Sequence, residues 1–371
     1  MDFDFSDDQL ALREAVQRWA DKAYPFDARR ARVAAGGLDA GVYRELAELG
    51  LCGLLADAEH DGMDMGPVEA MLAMEALGAV MLLEPLDQTM LASALLRSHG
   101  LAEAQAQWQG PIARGEVIPA LALHERGQRY ATVPAQTQAQ GSGNQITLTG
   151  GKHVVRAAAQ AQLLLVSALY QGTPALFAVT AGASGMRVGR YALQDGSAAG
   201  DVHFEATPAT LVCADATQAL AMAQDLGVAL ACARGVGAME ATLRITAEYL
   251  NTRKQFGVPI GQFQALRHRL ADMKMALELA RSMSYYATLK VQAPAAERRQ
   301  AMARAKVQLG RSMRQVGQEA VQLHGGIAVT DEYVIGHYFK YLTQLELSHG
   351  DTLHHLGAVS DSMQASAGVF V

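Results

Sequence analysis

Apolar and polar positions change their period twice along the chain. After Ser6, the apolar residues Leu10, Leu12, Val16 and Trp19 recur at helical spacing. Ser6 predicts an N-cap, Gln9 completes a capping box three residues on, and Phe5 is placed to staple onto Leu10. Val42, Leu46 and Leu49 mark a second helix that Gly50 stops. "PVEAMLAMEALGAVML" puts Pro67 at a helix start, and "DQTMLASALLRSHG" ends at Gly100. Residues 1–113 therefore read as an α-helical domain.

From Val117 to Cys213 the apolar runs are short and cut by Gly, Ser, Thr and Pro. "GSGNQITLTGGK" is a turn followed by strict alternation, with Ile146 and Leu148 against Thr147 and Thr149. "AQLLLVSA" and "PALFAVTA" read as buried strands, so residues 114–213 form a small β domain. The helical period then returns. "TQALAMAQDLGVALACARGVGAMEATLRITAEYLNT" predicts one long helix, apolar nearly all round and so packed among other helices. Stretches around 262–291, 296–322 and 331–347 follow, which makes 214–371 a C-terminal four-helix bundle. The fold class is α+β, in the order α bundle, β domain, α bundle.

Composition agrees with packed helices. Of 371 residues half are hydrophobic, only 6% are aromatic and 18% are charged, so Ala, Leu, Val and Met make the bulk. A net charge of -6 argues against a nucleic-acid footprint, which needs a basic face. Cys52, Cys213 and Cys232 lie far apart without CxxC spacing and read as reduced, buried thiols in a cytoplasmic protein. "MDFDFSDD" has no apolar core, so no signal peptide is expected, and no uncharged apolar run of membrane-spanning length predicts a membrane segment. Met71, Met74 and Met81 read as core fillers.

Most signatures of catalysis are absent. "GVGAME" lacks the third glycine of a dinucleotide fingerprint and sits inside a helix, and there is no P-loop, HExxH or GxSxG. "SHGDTLHHL" holds His349, Asp351, His354 and His355 at no standard metal spacing, and the adjacent His354 and His355 are expected to point apart on a helix. Two stretches remain. In "RKQFGVPIGQFQALRHRLADM" (253–273), a turn needs only Gly257 and Pro259, so Arg253, Gln255 and Phe256 ask for another reason. Arg253 could cap carbonyls at a helix C-terminus or clasp a diphosphate. In "AVQLHGGIAVTDEY" (320–333), paired glycines end a helix or let bare amides approach a phosphate or ring system.

Taken together, "RKQFGVPIGQFQALRHRLADM" and "QLHGGIAVTDEY" some fifty residues later closely resemble the acyl-CoA dehydrogenase flavoprotein family, with "GGKHVV" and the α–β–α order agreeing. "VGAMEATLRITAEYLNTRKQFG" and "GHYFKYLTQLELSHGDTLHHL" look most like its short branch, typified by the pimeloyl-CoA dehydrogenase small subunit. The resemblance implies FAD as cofactor, an acyl-CoA substrate, at least a dimer, and an electron-transfer flavoprotein as acceptor. In the family the corner and the glycine pair reach across a dimer interface to the adenosine-diphosphate half of a neighbour's FAD. Carried over, Arg253 would pair with the pyrophosphate, with Gln255, Phe256 and Gln264 around it. Gln322, Leu323, Gly325 and Gly326 would contact the same end.

Two departures limit the carry-over. The family's base, nearly always Glu in a "YEGT"-like run, falls on His349 in "SHGD"; imidazole, with an ordinary pKa near 6.5, can also serve. The alternative base position falls on Gly227 and Val228, neither of which can act, with Asp225 two residues away. The flavin-ring run "TEPxAGSD" is replaced by "HERGQRYA" at 124–131, where only Glu125 survives. An intact clasp beside an eroded ring pocket suits one partner of a heteromer whose larger subunit brings the Glu base. A self-sufficient homo-oligomer using His349, Glu346 or Asp351, or a non-redox scaffold, are the alternatives.

Overall fold

A computed structural model describes residues 4–367. Among the described residues there are eleven α-helices: α1 Asp7–Ala23, α2 Phe26–Ala34, α3 Ala40–Glu48, α4 Pro67–Gly78, α5 Leu86–His99, α6 Ala102–Ala113, α7 Thr217–Thr252, α8 Gln264–Lys290, α9 Ala295–His324, α10 Val334–Leu347 and α11 Thr352–Ala367. Between α6 and α7 run β1 Pro119–Ala122, β2 Gln138–Gln140, β3 Thr147–Arg156, β4 Leu163–Tyr170, β5 Thr173–Thr180, β6 Met186–Ala192, β7 Ala198–Pro208 and β8 Thr210–Cys213. The capping box at Ser6 forms as the sequence predicts, with the Gln9 amide donating to Ser6 Oγ and the Ser6 amide to Gln9 Oε1. Helix α2, rich in arginine and with a single buried position, carried no apolar stripe for the sequence to reveal. Helix α11 adds a fifth helix to the four read in the C-terminal segment.

The chain divides into two compact units. One comprises 27–70 and 83–227 and holds the sheet, ordered β6-β7-β3-β2-β4-β5-β8, with β1 pairing β4 in parallel and β2 also parallel to β4. The alternation read from the sequence is real: Ile146 and Leu148 are buried in the sheet core with Leu164, Val166 and Phe177. The three thiols are free and buried.

The other unit comprises 1–26, 71–82 and 228–371, and in it the end of α4 packs on α7. Helix α7 is long and apolar enough to cross a membrane, but 89% of its most apolar window is buried inside the protein. The glycines of "GVGAME" serve packing: a Cβ on Gly237 would lie 1.8 Å from the Glu75 carbonyl oxygen, and one on Gly235 would lie 2.7 Å from Met313 Sδ; from the α4 side, one on Gly78 would lie 2.2 Å from the Arg234 carbonyl oxygen. Gly237→Val is therefore expected to destabilise the chain by about 1–3 kcal/mol through overpacking, read as a lowered urea midpoint. The same unit holds Met71, Met74 and Met81, all buried as core fillers. Arg281 of α8 pairs with Glu75 and, at 3.2 Å, with Glu240.

Candidate functional site: the 253–264 corner, the 322–326 turn and the 348–351 turn

Helix α7 ends in a two-residue hairpin. Lys254–Gln255 pairs antiparallel with Val258–Pro259, and the turn between them has φ of +55° at Phe256 and +80° at Gly257. Positive φ at both central positions is the pattern of a type I′ turn, which Asn-Gly or Gly-Gly fills without strain. A phenylalanine there costs about 1–3 kcal/mol of backbone strain. Its ring recovers little of that in the protein, since Phe256 is 90% exposed and meets the edge of Phe263, 6.0 Å between centroids. Strain spent on an exposed ring points to a use outside the chain's own core. Arg253 is exposed too; its backbone amide closes on the Tyr249 carbonyl at 2.8 Å and its own carbonyl accepts from Ile260, so the backbone is fixed while the guanidinium projects. Gln255 and Gln264 are likewise exposed.

The glycine pair sits at the end of α9. Gly325 closes the helix with φ +66° and ψ -144°, a conformation open to glycine, and its amide donates to the Val321 carbonyl. Neither Gly325 nor Gly326 has any heavy atom within 4 Å of where a Cβ would stand, so their backbone faces open space. Gln322 is exposed and Leu323 is buried. The two stretches are tied together: Tyr249 donates its hydroxyl to the His324 carbonyl at 3.3 Å and stacks on the His324 ring at 4.4 Å. Arg269 adds an ion pair to Glu319, N–O 2.6 Å. His324 is buried, its Nδ1 lies 2.8 Å from the Ala320 carbonyl, and its buried Nε2 has no hydrogen-bond partner among the described residues. Burial pushes the imidazole below its ordinary value, so it is neutral and Nε2 is an unused acceptor.

These features fit an adenosine diphosphate: a projecting guanidinium for a diphosphate, an exposed ring for a base, and open amides. Of the neighbouring basic residues, Arg267 is spent on the Gly261 carbonyl at 2.6 Å and Arg269 on Glu319, so both serve structure.

His349 lies in the turn between α10 and α11 with φ +55°, half-buried, its carbonyl accepting from His355 Nε2 at 2.8 Å. The carboxylates beside it are engaged in capping α11. Glu346 Oε1 accepts from the Thr352 amide at 3.0 Å and hydroxyl at 2.6 Å, and Asp351 Oδ1 from the His354 amide at 2.8 Å. His354 and His355 do not point apart as expected. Their rings meet edge to face at 5.1 Å. Asp225 on α7 is buried, as is Val228.

In the sheet-bearing unit, Glu125 turns out to be a structural pin. Its carboxylate accepts from the amides of Ala135, Gln136 and Thr137 at 2.8–2.9 Å and from the buried Lys152 ammonium at 2.9 Å. Lys152 also donates to Ser167 Oγ and the Leu123 carbonyl. Burial pushes the Glu125 carboxyl up, but Lys152, the amides of Ala135 and Thr137 and the Thr137 side chain more than offset that and hold it well below the usual range. Lys152 itself, inside "GGKHVV", was the residue the sequence could not mark as buried.

Comparisons with known proteins identify the family. Two family models match, the acyl-CoA dehydrogenase N-terminal domain over residues 6–116 and the acyl-CoA dehydrogenase C-terminal domain over residues 220–363. Acyl-CoA dehydrogenase FadE27 of Mycobacterium tuberculosis is 28% identical over 84% of this chain and 85% of its own length. A chain of the ChsE4–ChsE5 complex from Mycobacterium tuberculosis is 26% identical with a TM-score of 0.89, covering 99% of both chains. A chain of the Tcur3481–Tcur3483 steroid ACAD is 28% identical with the same TM-score, covering 98% of this chain and 99% of that one. The chain belongs to the acyl-CoA dehydrogenase family, whose members are flavoprotein oxidoreductases with FAD as cofactor.

Proposed function

We propose that this chain is the small subunit of a heteromeric acyl-CoA dehydrogenase that desaturates a CoA thioester between Cα and Cβ. In this reading it contributes Arg253, Gln255, Phe256, Gln264, Gln322, Leu323, Gly325 and Gly326 to the adenosine-diphosphate end of an FAD whose redox ring rests in a larger sister subunit, which brings the Glu base. Electrons then leave to an electron-transfer flavoprotein. The observation that carries the reading is the corner itself: a strained, 90% exposed Phe256 beside a projecting Arg253 is useful only to something outside the chain. The structural use of Glu125 supports it, since the one surviving residue of the ring-binding run is committed to holding its own loop. The solved ChsE4–ChsE5 and Tcur3481–Tcur3483 proteins carry paired names, which fits a two-chain assembly.

If one chain supplies the clasp and the other the ring pocket, the purified complex carries one flavin for each pair of unlike chains. Co-expression with a larger acyl-CoA dehydrogenase chain, followed by flavin and protein quantification, is expected to give that ratio. One flavin per copy of this chain, purified without a partner, would refute the reading.

The left-handed His349 favours a second reading, a self-sufficient homo-oligomer with His349 as base. It requires that His349→Ala abolish flavin reduction by acyl-CoA while FAD stays bound; unchanged reduction removes His349 from that role.

A further inference from the structure

The turn that carries His349 is held from beneath by a lysine that neither the clasp nor the family's base requires. Lys306, on α9, is fully buried. Its Nζ lies 3.0 Å from the Leu345 carbonyl and 2.8 Å from each of the carbonyls of Glu346, Ser348 and Gly350. An ammonium has three protons, so these four acceptors share it, and carbonyls can only accept. Two of them belong to the last turn of α10, where unpaired carbonyls and the helix dipole favour a cation. His355 takes the carbonyl between the others, that of His349. Five of the six carbonyls from 345 to 350 are thus gathered by two side chains.

That gathering accounts for the backbone. A histidine at φ +55° is strained by about 1–3 kcal/mol and persists only where its surroundings over-determine it. The next residue, Gly350, has φ +98°, and a Cβ there would lie 2.6 Å from the His355 ring, so the chain is closed down on that side too. Glu346 and Asp351 fasten the far end by capping α11. Burial brings the Lys306 ammonium down to about 8, still above neutral pH, and no carboxylate is paired with its Nζ among the described residues. A buried cation whose acceptors are the backbone of one short turn fixes the shape of that turn.

We infer that Lys306 is a positioning residue: by binding the carbonyls of residues 345, 346, 348 and 350 it holds His349 in its left-handed conformation and sets where the imidazole is presented. The functional weight of this rests on the reading that position 349 is the family's base position, whereas the geometry stands without it.

The test uses the full chain labelled at histidine, with the His349 ring resonance assigned by His349→Gln. Lys306→Met is expected to displace the His349 resonance and to speed amide exchange in residues 345–351 about tenfold or more, while the His324 resonance at the clasp stays in place. Lys306→Ala is expected to show the same displacement, and methylammonium, which fits the space vacated, to restore it. An unmoved His349 resonance in folded Lys306→Met overturns the inference. So does a general shift of every histidine resonance that methylammonium does not reverse, which would make Lys306 a stabilising residue only. If Lys306→Met does not fold, Lys306→Ala folded in methylammonium and then dialysed free of it reads the same resonance. None of these readouts uses flavin, so failure of the clasp reading leaves them intact.

Discussion

Arg253→Met is expected to weaken FAD binding by the assembled enzyme about 10- to 100-fold, the loss of one or two charge-assisted hydrogen bonds to a diphosphate. The structure gives the guanidinium no carboxylate or carbonyl to hold among the described residues, and the hairpin that positions it is fixed by backbone bonds that do not involve the Arg253 side chain. Removing the side chain should therefore leave the thermal midpoint unchanged, which separates lost recognition from lost fold. Arg253→Lys should recover only part of the affinity, because a point charge on a flexible stem lacks the planar fork that matches a diphosphate. Titrating apo-assembly with FAD, followed by quenching of flavin fluorescence, measures both variants. Wild-type affinity in Arg253→Met would remove the corner from the cofactor site.

The second large effect concerns the other unit. Glu125→Ala leaves the Lys152 ammonium buried without its carboxylate and three backbone amides without their acceptor. Breaking a buried pair in this way costs about 3–5 kcal/mol. The loss should appear as a lowered urea midpoint and as cleavage by protease within 125–137, the segment whose amides the carboxylate collects. The pH dependence follows from the direction of the shift. Glu125 is held at about 2 in the folded chain, below its ordinary 4.5. Its stabilisation is therefore complete above pH 4.5 and drains away as the pH falls toward 2. Glu125→Gln, which keeps the shape but not the charge, should flatten stability against pH across that acid window. An unaltered acid limb would show that the carboxylate does not pin the loop.

The sequence made much of this legible, and for physical reasons. Ser6 and Gln9 announce a helix start because capping is local, and Ile146 and Leu148 announce a strand because its period is two. Arg253, Gln255 and Phe256 could be suspected because a turn needs only Gly257 and Pro259; the structure adds that the Phe256 ring stands 90% exposed at positive φ. Long-range pairings were not legible. Nothing near Lys306 or Lys152 says that each is buried, since their acceptors lie 39 and more residues away for Lys306 and 15 to 29 away for Lys152. A lysine between Ala305 and Val307 reads as one more polar position on a helix. Glu125 misled for the same cause: its resemblance to a flavin-binding run hid that its partners are its own loop and Lys152. The expected divergence of His354 and His355 failed because helical spacing describes Cβ directions, and rotation about χ1 still lets adjacent rings meet.

The most direct test of the central claim is the visible spectrum of the chain purified alone in the presence of added FAD, and again after co-expression with a larger acyl-CoA dehydrogenase chain. The account predicts a colourless protein alone and a yellow complex with the partner, bleached by acyl-CoA. A yellow protein that is bleached by acyl-CoA with no partner present would contradict it.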